Sequence, residues 1–528
     1  MRHIINLHVS LVKEEFPMDG ANLQHLLAMA LYMLAVIVIG IVFARRANKD
    51  AEAYFLGGRS LGPWVTAFSA EASDMSGYLL MGLPGLAYWT GLADAGWTCI
   101  GLALGTYLNF LITSHRLRRY SIAVDAFTVP DFFSKRYHEG RHKTLMVLSS
   151  LIIIIFFSVY AAQCLSTCGK LFANLFGLSY QSMMIVAAAF VLIYTFLGGF
   201  LAESASDFMQ AVVMVTVLVL ILIISVGAAG GMSAAIQNAE GIDGFFSLVQ
   251  SATPSTTEVD VFGAARPYGV LSIVSCLAWG LGYFGMPQVL LRFMGIRSEK
   301  ELKLSRRVAI VWVVISMAAA VFIGIVGRSI VGLDYLSNGD AENIFVDAAI
   351  MFLPPVLAGF ACAGVLAAAI SSSDSYLLIT ASAVSQNIYR GIVKKDATEK
   401  QVMWCSRITL MLITLVAMAI AWNSNSTIFG ITAFAWAGFG AAFGPLMLFS
   451  LFWKRTTRAG AIAGMVAGGA MVFFWRGVLK PLGGVFGLYE LLPAFLFSAL
   501  VIVVVSLLTQ KPNADMDSEF DRVKAGEV

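Results

Sequence analysis

Residues 69–77 read Ser-Ala-Glu-Ala-Ser-Asp-Met-Ser-Gly in the middle of an otherwise apolar stretch. Asp74 supplies an anionic oxygen, Ser73 and Ser76 supply hydroxyls, and Gly77 weakens the helix so that carbonyls open beside them. Hard oxygen donors of this kind suit a small cation. Glu71 lies three residues before Asp74, on the same helical face. Two readings of it stay open: a second ligand, or an acceptor for the loosened backbone. A second oxygen-rich stretch, Ser371-Ser-Ser-Asp-Ser375, follows Ala367-Ala-Ala-Ile370. Ser371, Asp374 and Ser375 share a face at i, i+3 and i+4, flanked by Ser372 and Ser373. Serines in membrane helices often do no more than bond a neighbouring helix, but four of them around a buried aspartate favour cation ligation. Asp207, in Glu203-Ser-Ala-Ser-Asp207, is either a further ligand or a carboxylate held by a helix N-terminal dipole. Trp279-Gly-Leu-Gly-Tyr-Phe-Gly-Met-Pro287 is a third special stretch, and helical spacing puts Trp279 and Tyr283 on one face. No HExxH, P-loop, GxSxG or CxxC pattern is present, and the six histidines fall at ends or in loops.

These clusters must sit in elements that composition identifies at once. The chain has 528 residues, 59% of them hydrophobic and only 13% charged, with a mean hydropathy of +0.80. A soluble domain carries about 25% charged residues, so this chain cannot clothe a water-facing surface. A nucleic-acid binder or a cytosolic enzyme is thereby disfavoured. The formal charge of +3 is too small to imply an anionic partner. The six cysteines lie in or beside apolar runs and read as small core hydrophobes.

Apolar stretches long enough to cross about 30 Å of hydrocarbon fall at 23–44, 62–87, 90–113, 144–173, 180–198, 203–229, 267–292, 307–331, 355–387, 404–423, 427–453, 459–477 and 485–509. The expectation is an all-α integral membrane protein with thirteen transmembrane helices. Residues 1–22 form an extracytoplasmic segment, 23–44 an extra first helix, 459–509 two closing helices and 510–528 a cytoplasmic tail. No cleavable leader is expected, since Lys13, Glu14, Glu15 and Asp19 interrupt the start. With the N-terminus outside, 28 of the 35 Lys and Arg fall in cytoplasmic segments, as the positive-inside rule requires. That count places Arg292 in a cytoplasmic loop and Lys170 on the opposite side.

The second and seventh spans both look broken near the middle, the seventh by three glycines and Pro287, which removes a donor. They are five spans apart. That is the offset expected of a 62–453 core made of inverted repeats 62–229 and 267–453, with one discontinuous helix of each repeat at a midplane site. The plain alternative is two kinked packing helices. In span twelve, Gly460, Gly464 and Gly468 at four-residue spacing favour close helix packing, with a dimer face as the other reading.

Several stretches together resemble the sodium/solute symporter family over about residues 25–509. They are Tyr54-Phe-Leu-Gly-Gly-Arg-Ser-Leu-Gly-Pro63, Ala72-Ser-Asp-Met-Ser-Gly77 with Leu79-Leu-Met-Gly-Leu-Pro-Gly85, Trp279 to Gly285, Ala435-Trp-Ala-Gly-Phe-Gly-Ala-Ala-Phe-Gly-Pro445 and Trp453-Lys-Arg-Thr-Thr-Arg-Ala-Gly460. The resemblance implies a LeuT-type core of ten helices and a transporter rather than an enzyme. It further implies Na+ as coupling ion, no organic cofactor, and a small zwitterion, L-proline, as the imported solute. Another amino acid, pantothenate or sialic acid is the alternative, and a channel is a more distant one. It places sodium at the carbonyls of Ala72, Met75 and Ala368 and the hydroxyls of Ser371 and Ser372, with Asp74 needed for high sodium affinity and Arg59 as a functional loop arginine. Some relatives hold a second sodium at the equivalents of Asp207, Ser371, Asp374 and Ser375. Here Asp374 stands where a serine is usual, and a stronger, a proton-linked and a structural role all stay open. The solute pocket implied is Ser76, Gly77, Tyr160, Trp279, Tyr283 and Pro287. Met286, Gln288 and Ala161 depart from the usual glutamine, histidine and cysteine around it.

Overall fold

A computed structural model describes residues 20–47, 56–140, 142–197, 200–259, 261–330, 335–423, 426–510 and 514–527. The expected N-terminal segment therefore lies outside the described residues, except for its last three. Each of the thirteen apolar stretches is helical. The first is α1 (Gly20–Ala47). The second is divided into α2 (Pro63–Gly77), a wide turn at Tyr78–Gly82, and α3 (Leu83–Thr90). Then come α4 (Leu92–Leu108), α5 (Thr144–Phe176), α6 (Tyr180–Leu197) and α7 (Phe200–Ala228). The seventh span is α8 (Val270–Leu277), a tight 3₁₀ stretch at Ala278–Gly285, and α9 (Pro287–Gly295). The rest are α10 (Leu302–Ile330), α11 (Pro355–Ser382), α12 (Glu399–Ile420), α13 (Ile428–Phe452), α14 (Arg458–Phe474) and α15 (Leu491–Leu508).

Among the described residues ten helices are long and apolar enough to cross a membrane unbroken, and an eleventh span is the pair on either side of Met286, bent by 46°. The second stretch falls short because it is divided, and the fifth because its described apolar run, Tyr180–Ile193, is short. The chain is a multi-pass membrane protein. Leu31, Leu34, Val38, Ile223 and Leu508 stay exposed on the outer faces of their helices, which suits hydrocarbon rather than water as surroundings.

Burial shows which helices lie inside. α11 is covered for most of its length, packing against α1, α2, α5 and α7, and α13 packs against the 3₁₀ stretch, α5, α14 and α15. Small residues make this possible. A side chain on Gly105 of α4 would stand 2.4 Å from the backbone of Gly280, and one on Gly280 2.3 Å from the carbonyl of Gly101. The glycine ladder of α14 is likewise spent within the chain, against Ser506, Ile502 and the carbonyl of Ala441. Packing is thus its role, and that ladder is no free dimer face. All six cysteines are free.

Two features went beyond the sequence reading. An antiparallel pair, β1 (Gln250–Pro254) and β2 (Phe262–Pro267), lies between α7 and α8. The segment carrying it lies against the turn at Gly91, where φ is +84° and a side chain would strike the carbonyl of Phe245. The tail is not loose: α16 (Ala514–Ala525) buries Met516, Phe520 and Val523 and pairs Glu519 with His138.

Because the atoms facing Gly105 are backbone and cannot turn aside, Gly105→Val is expected to cost about 3 kcal/mol and to lower the unfolding temperature in detergent. Gly477→Ala, on an exposed turn with nothing within 4 Å, should stay within about 0.5 kcal/mol of the parent. Equal melting of both variants would mean that α4 and the 3₁₀ stretch are free to part.

Candidate functional site

The break in the second span comes at Ser76, whose φ of 45° and ψ of −165° leave the helical region. A non-glycine residue there carries strain of order 1–3 kcal/mol. Its hydroxyl accepts from the Tyr78 amide at 3.3 Å, and the same amide also donates to the Met75 and Ser76 carbonyls. One turn earlier the Ala72 carbonyl is reached from α11. The Ser371 hydroxyl donates to it at 2.8 Å and that of Ser372 at 3.3 Å, while Ser371 also reaches the Ala368 carbonyl at 3.2 Å. Four of the five residues expected to ligate sodium therefore converge between α2 and α11. The fifth, Met75, is on the same turn, but its carbonyl is engaged with Tyr78. A cation suits this group: the two hydroxyls need only turn their protons away to offer lone pairs beside those of the Ala72 and Ala368 carbonyls.

Asp74 is buried, and its Oδ1 accepts from Gln288 Nε2 of α9 at 3.2 Å. Gln288, noted in the sequence only as a departure, thus joins the two breaks. Glu71 is 1% exposed, and neither of its oxygens meets a partner among the described residues. It does not serve as an acceptor for the loosened backbone here.

The expected second cation group is built differently from its sequence reading. Asp207 Oδ2 accepts from Ser69 at 2.8 Å and from Arg292 Nη2 at 3.0 Å. The same Nη2 reaches Ser375 at 2.9 Å and Glu203 Oε1, to which Ser375 also donates. Arg292 Nε donates to Ser69 at 2.9 Å, and Nη1 to the Gln288 carbonyl at 3.1 Å. Arg292 had been placed in a cytoplasmic loop. It is instead fully buried, because α9 continues to Gly295 and carboxylates from α7 wait for it. A guanidinium fork facing two carboxylates is a strong arrangement once water is excluded. Asp374 is buried beside this group and interacts electrostatically with Glu203, Asp207 and Arg292. Lys170, assigned to the surface by charge counting, is a second buried cation and bonds Glu342 at 2.7 Å. Both pairs carry a signal in the sequence, a basic residue at the end of an apolar run. Their acidic partners are too far along the chain to be matched by eye.

The aromatic side of the site is also rearranged. At three residues per turn, Trp279 and Tyr283 do not share a face as helical spacing had implied. Trp279 stacks on Tyr78 and Tyr489 at 5.8 and 5.0 Å, and Tyr283 meets the edge of Trp436 at 5.0 Å. Trp436 Nε1 donates to the Trp279 carbonyl at 2.8 Å and fills the space that Gly282 leaves. Tyr160 is fully buried against Phe157 and Tyr376, and its hydroxyl has no partner among the described residues. Gly77 lies against Thr167 of α5, so close that a side chain would stand 2.2 Å from its hydroxyl. Pro287 opens α9 after the extended Met286. Arg59 stands apart, clasping Ser121, the Met294 carbonyl and the Ala126 carbonyl. An open depression lined by Asp131, Lys135, His138, Glu139 and Glu519 contains none of the expected site residues.

The sequence profile of the sodium:solute symporter family matches residues 54–468. Sodium/proline symporters of Staphylococcus aureus strains USA300 / TCH1516 and NCTC 8325 are 40% identical over 511 residues, 96% of this chain and 96% of theirs. Among solved structures, a substrate-bound outward-open Na+-coupled sialic acid symporter superimposes with a TM-score of 0.75 at 18% identity, covering 93% of this chain and 99% of its own. A nucleobase-cation-symport-1 family transporter follows with a TM-score of 0.55 at 11% identity, covering 90% and 99%. The two structures share this fold.

Ser371 serves two carbonyls and Ser372 one. Ser371→Ala is therefore expected to raise the sodium concentration for half-saturation on the order of tenfold, about 1.4 kcal/mol, and Ser372→Ala to raise it less. Equilibrium ²²Na+ binding to purified protein reads the difference. Wild-type binding in both variants would remove the hydroxyls from the site.

Proposed function

Since the chain belongs to the sodium:solute symporter family, we propose that it imports L-proline by sodium-coupled alternating access. The observation that carries this reading is the Ala72 carbonyl, one turn before the break in its span, where two serine hydroxyls from α11 meet it. Sodium binds at Ala72, Met75, Ala368, Ser371 and Ser372, with Asp74 offsetting its charge from one turn away. Its arrival replaces serine protons with a cation and draws α2 and α11 together. The zwitterion then enters between the two breaks, among Ser76, Gly77, Tyr160, Trp279, Tyr283 and Pro287. Its carboxylate lies near amides released by the interruption. The Staphylococcus aureus relatives, named as sodium/proline symporters, support this solute.

The two breaks, five spans apart, support an inverted-repeat core spanning 62–229 and 267–453. The skew of basic residues supports an external N-terminus and a cytoplasmic C-terminus in the cell membrane, and setting Arg292 aside leaves that skew intact. At 100 mV inside negative, each sodium entering adds about 2.3 kcal/mol, roughly 50-fold accumulation.

Labelled L-proline should accumulate in proteoliposomes under an inward sodium gradient and not when potassium replaces sodium. Competition by other amino acids, pantothenate or sialic acid would reassign the solute if any displaced proline more strongly than proline itself. Asp74→Asn should raise half-saturating sodium at least about tenfold while the amount of protein in the membrane stays within about twofold. Superimposable uptake curves against sodium would take Asp74 out of the coupling mechanism.

A further inference from the structure

Arg292 is the most heavily bonded side chain inside the bundle, and sodium-coupled proline import as described above makes no use of it. Its guanidinium joins Ser69 of α2, Glu203 and Asp207 of α7, Ser375 of α11 and the Gln288 carbonyl of its own helix. We propose that Arg292 is a tethered cation filling a second cation position beside the sodium site, so that one sodium ion rather than two binds per chain.

Three observations carry this. First, Glu203, Asp207 and Asp374 are all buried at one level of the bundle. Carboxylates there need a positive charge within reach, because each uncompensated one costs several kcal/mol. Second, the oxygens that a free ion would have to use, Asp207 Oδ2 and the Ser375 hydroxyl, already accept from Nη2 at 3.0 and 2.9 Å. A donor hydrogen and a metal ion cannot share those lone pairs. Among the described residues no group of three acidic, histidine or cysteine side chains is disposed to hold a metal by itself. Third, Asp207 Oδ1 and Glu203 Oε2 have no hydrogen-bond partner among the described residues. With the guanidinium gone, the group would therefore offer a nearly complete oxygen set.

The placement ties the fixed charge to the mobile one. Ser375 is one turn along α11 from Ser371, about 6 Å, and Gln288 bonds Arg292 through its carbonyl and Asp74 through its amide. Arg292 thus holds α2, α7, α9 and α11 in register around the first site whether or not sodium is present. A mobile second ion would do so only when bound.

The inference rests on the sodium-coupled reading, and the experiment separates the two. Equilibrium ²²Na+ binding is measured on purified full-length protein without organic solute, choline replacing sodium in the blanks. The wild type should bind one sodium per chain, Arg292→Gln two, and Arg292→Lys, which keeps the charge, one. Two saturable sites in the wild type would overturn the proposal, as would a single site in Arg292→Gln or two in Arg292→Lys. If Arg292→Gln does not accumulate, Arg292→Lys decides. One site there supports a charge role, and failure of Arg292→Lys to accumulate overturns it in favour of a purely fork-shaped clasp. Absence of saturable sodium binding in the wild type would overturn both the symport reading and this one, whereas a one-site wild type with an unchanged Arg292→Gln overturns only this one.

Discussion

A carbonyl at membrane depth can be reached across a helix boundary only by a donor from the protein itself, since no water stands there. At Ala72 that donor is a pair of serine hydroxyls from a span about 300 residues further along the chain. This contact explains why α11 is buried along most of its length and why its inner face is alanine and serine rather than leucine. A bulky side chain there would hold α2 away and leave the carbonyl unpaired. The break one turn further along leaves Ser76 strained, a cost that only a tightly packed surround can sustain.

Charge inside the bundle follows the same rule. Two of the buried cations, Arg292 and Lys170, each sit against acidic partners distant in sequence. Neither pair is a strong source of stability, since desolvation takes back most of what attraction contributes. What such pairs do well is fix which helices meet and at what level. Arg292 and Gln288 together connect both interrupted spans, so displacement of one half-helix is felt at Asp74 in the other. Lys170 joins α5 to Glu342, which also accepts from the Phe429 amide at the start of α13.

The aromatic residues show how local geometry reassigns a sequence pattern. An i, i+4 pair shares a face in an α-helix, but in the 3₁₀ stretch Trp279 and Tyr283 turn to different sides of Trp436. The glycines between them serve close backbone approach as well as interruption. The packing reading of that stretch is therefore physically satisfied. Gly282 accommodates an indole, and the break it belongs to still carries Gln288 to Asp74.

Local information was enough for the membrane class, the thirteen helical stretches, both interruptions and the serine-rich face of α11, because hydropathy, Gly and Pro effects and helical periodicity act over a few residues. Ser371 and Ser372 stand out for the same reason, as hydroxyls beside a buried aspartate, whereas the Ala72 carbonyl is pointed to only by the family resemblance. The destination of Arg292, the pairing of Lys170 with Glu342, the docking of α16 and the strand pair between α7 and α8 were decided only by the tertiary structure. Each depends on what stands opposite at long sequence separation, and a basic residue at the end of an apolar run looks the same whether it reaches outward to water or inward to a carboxylate.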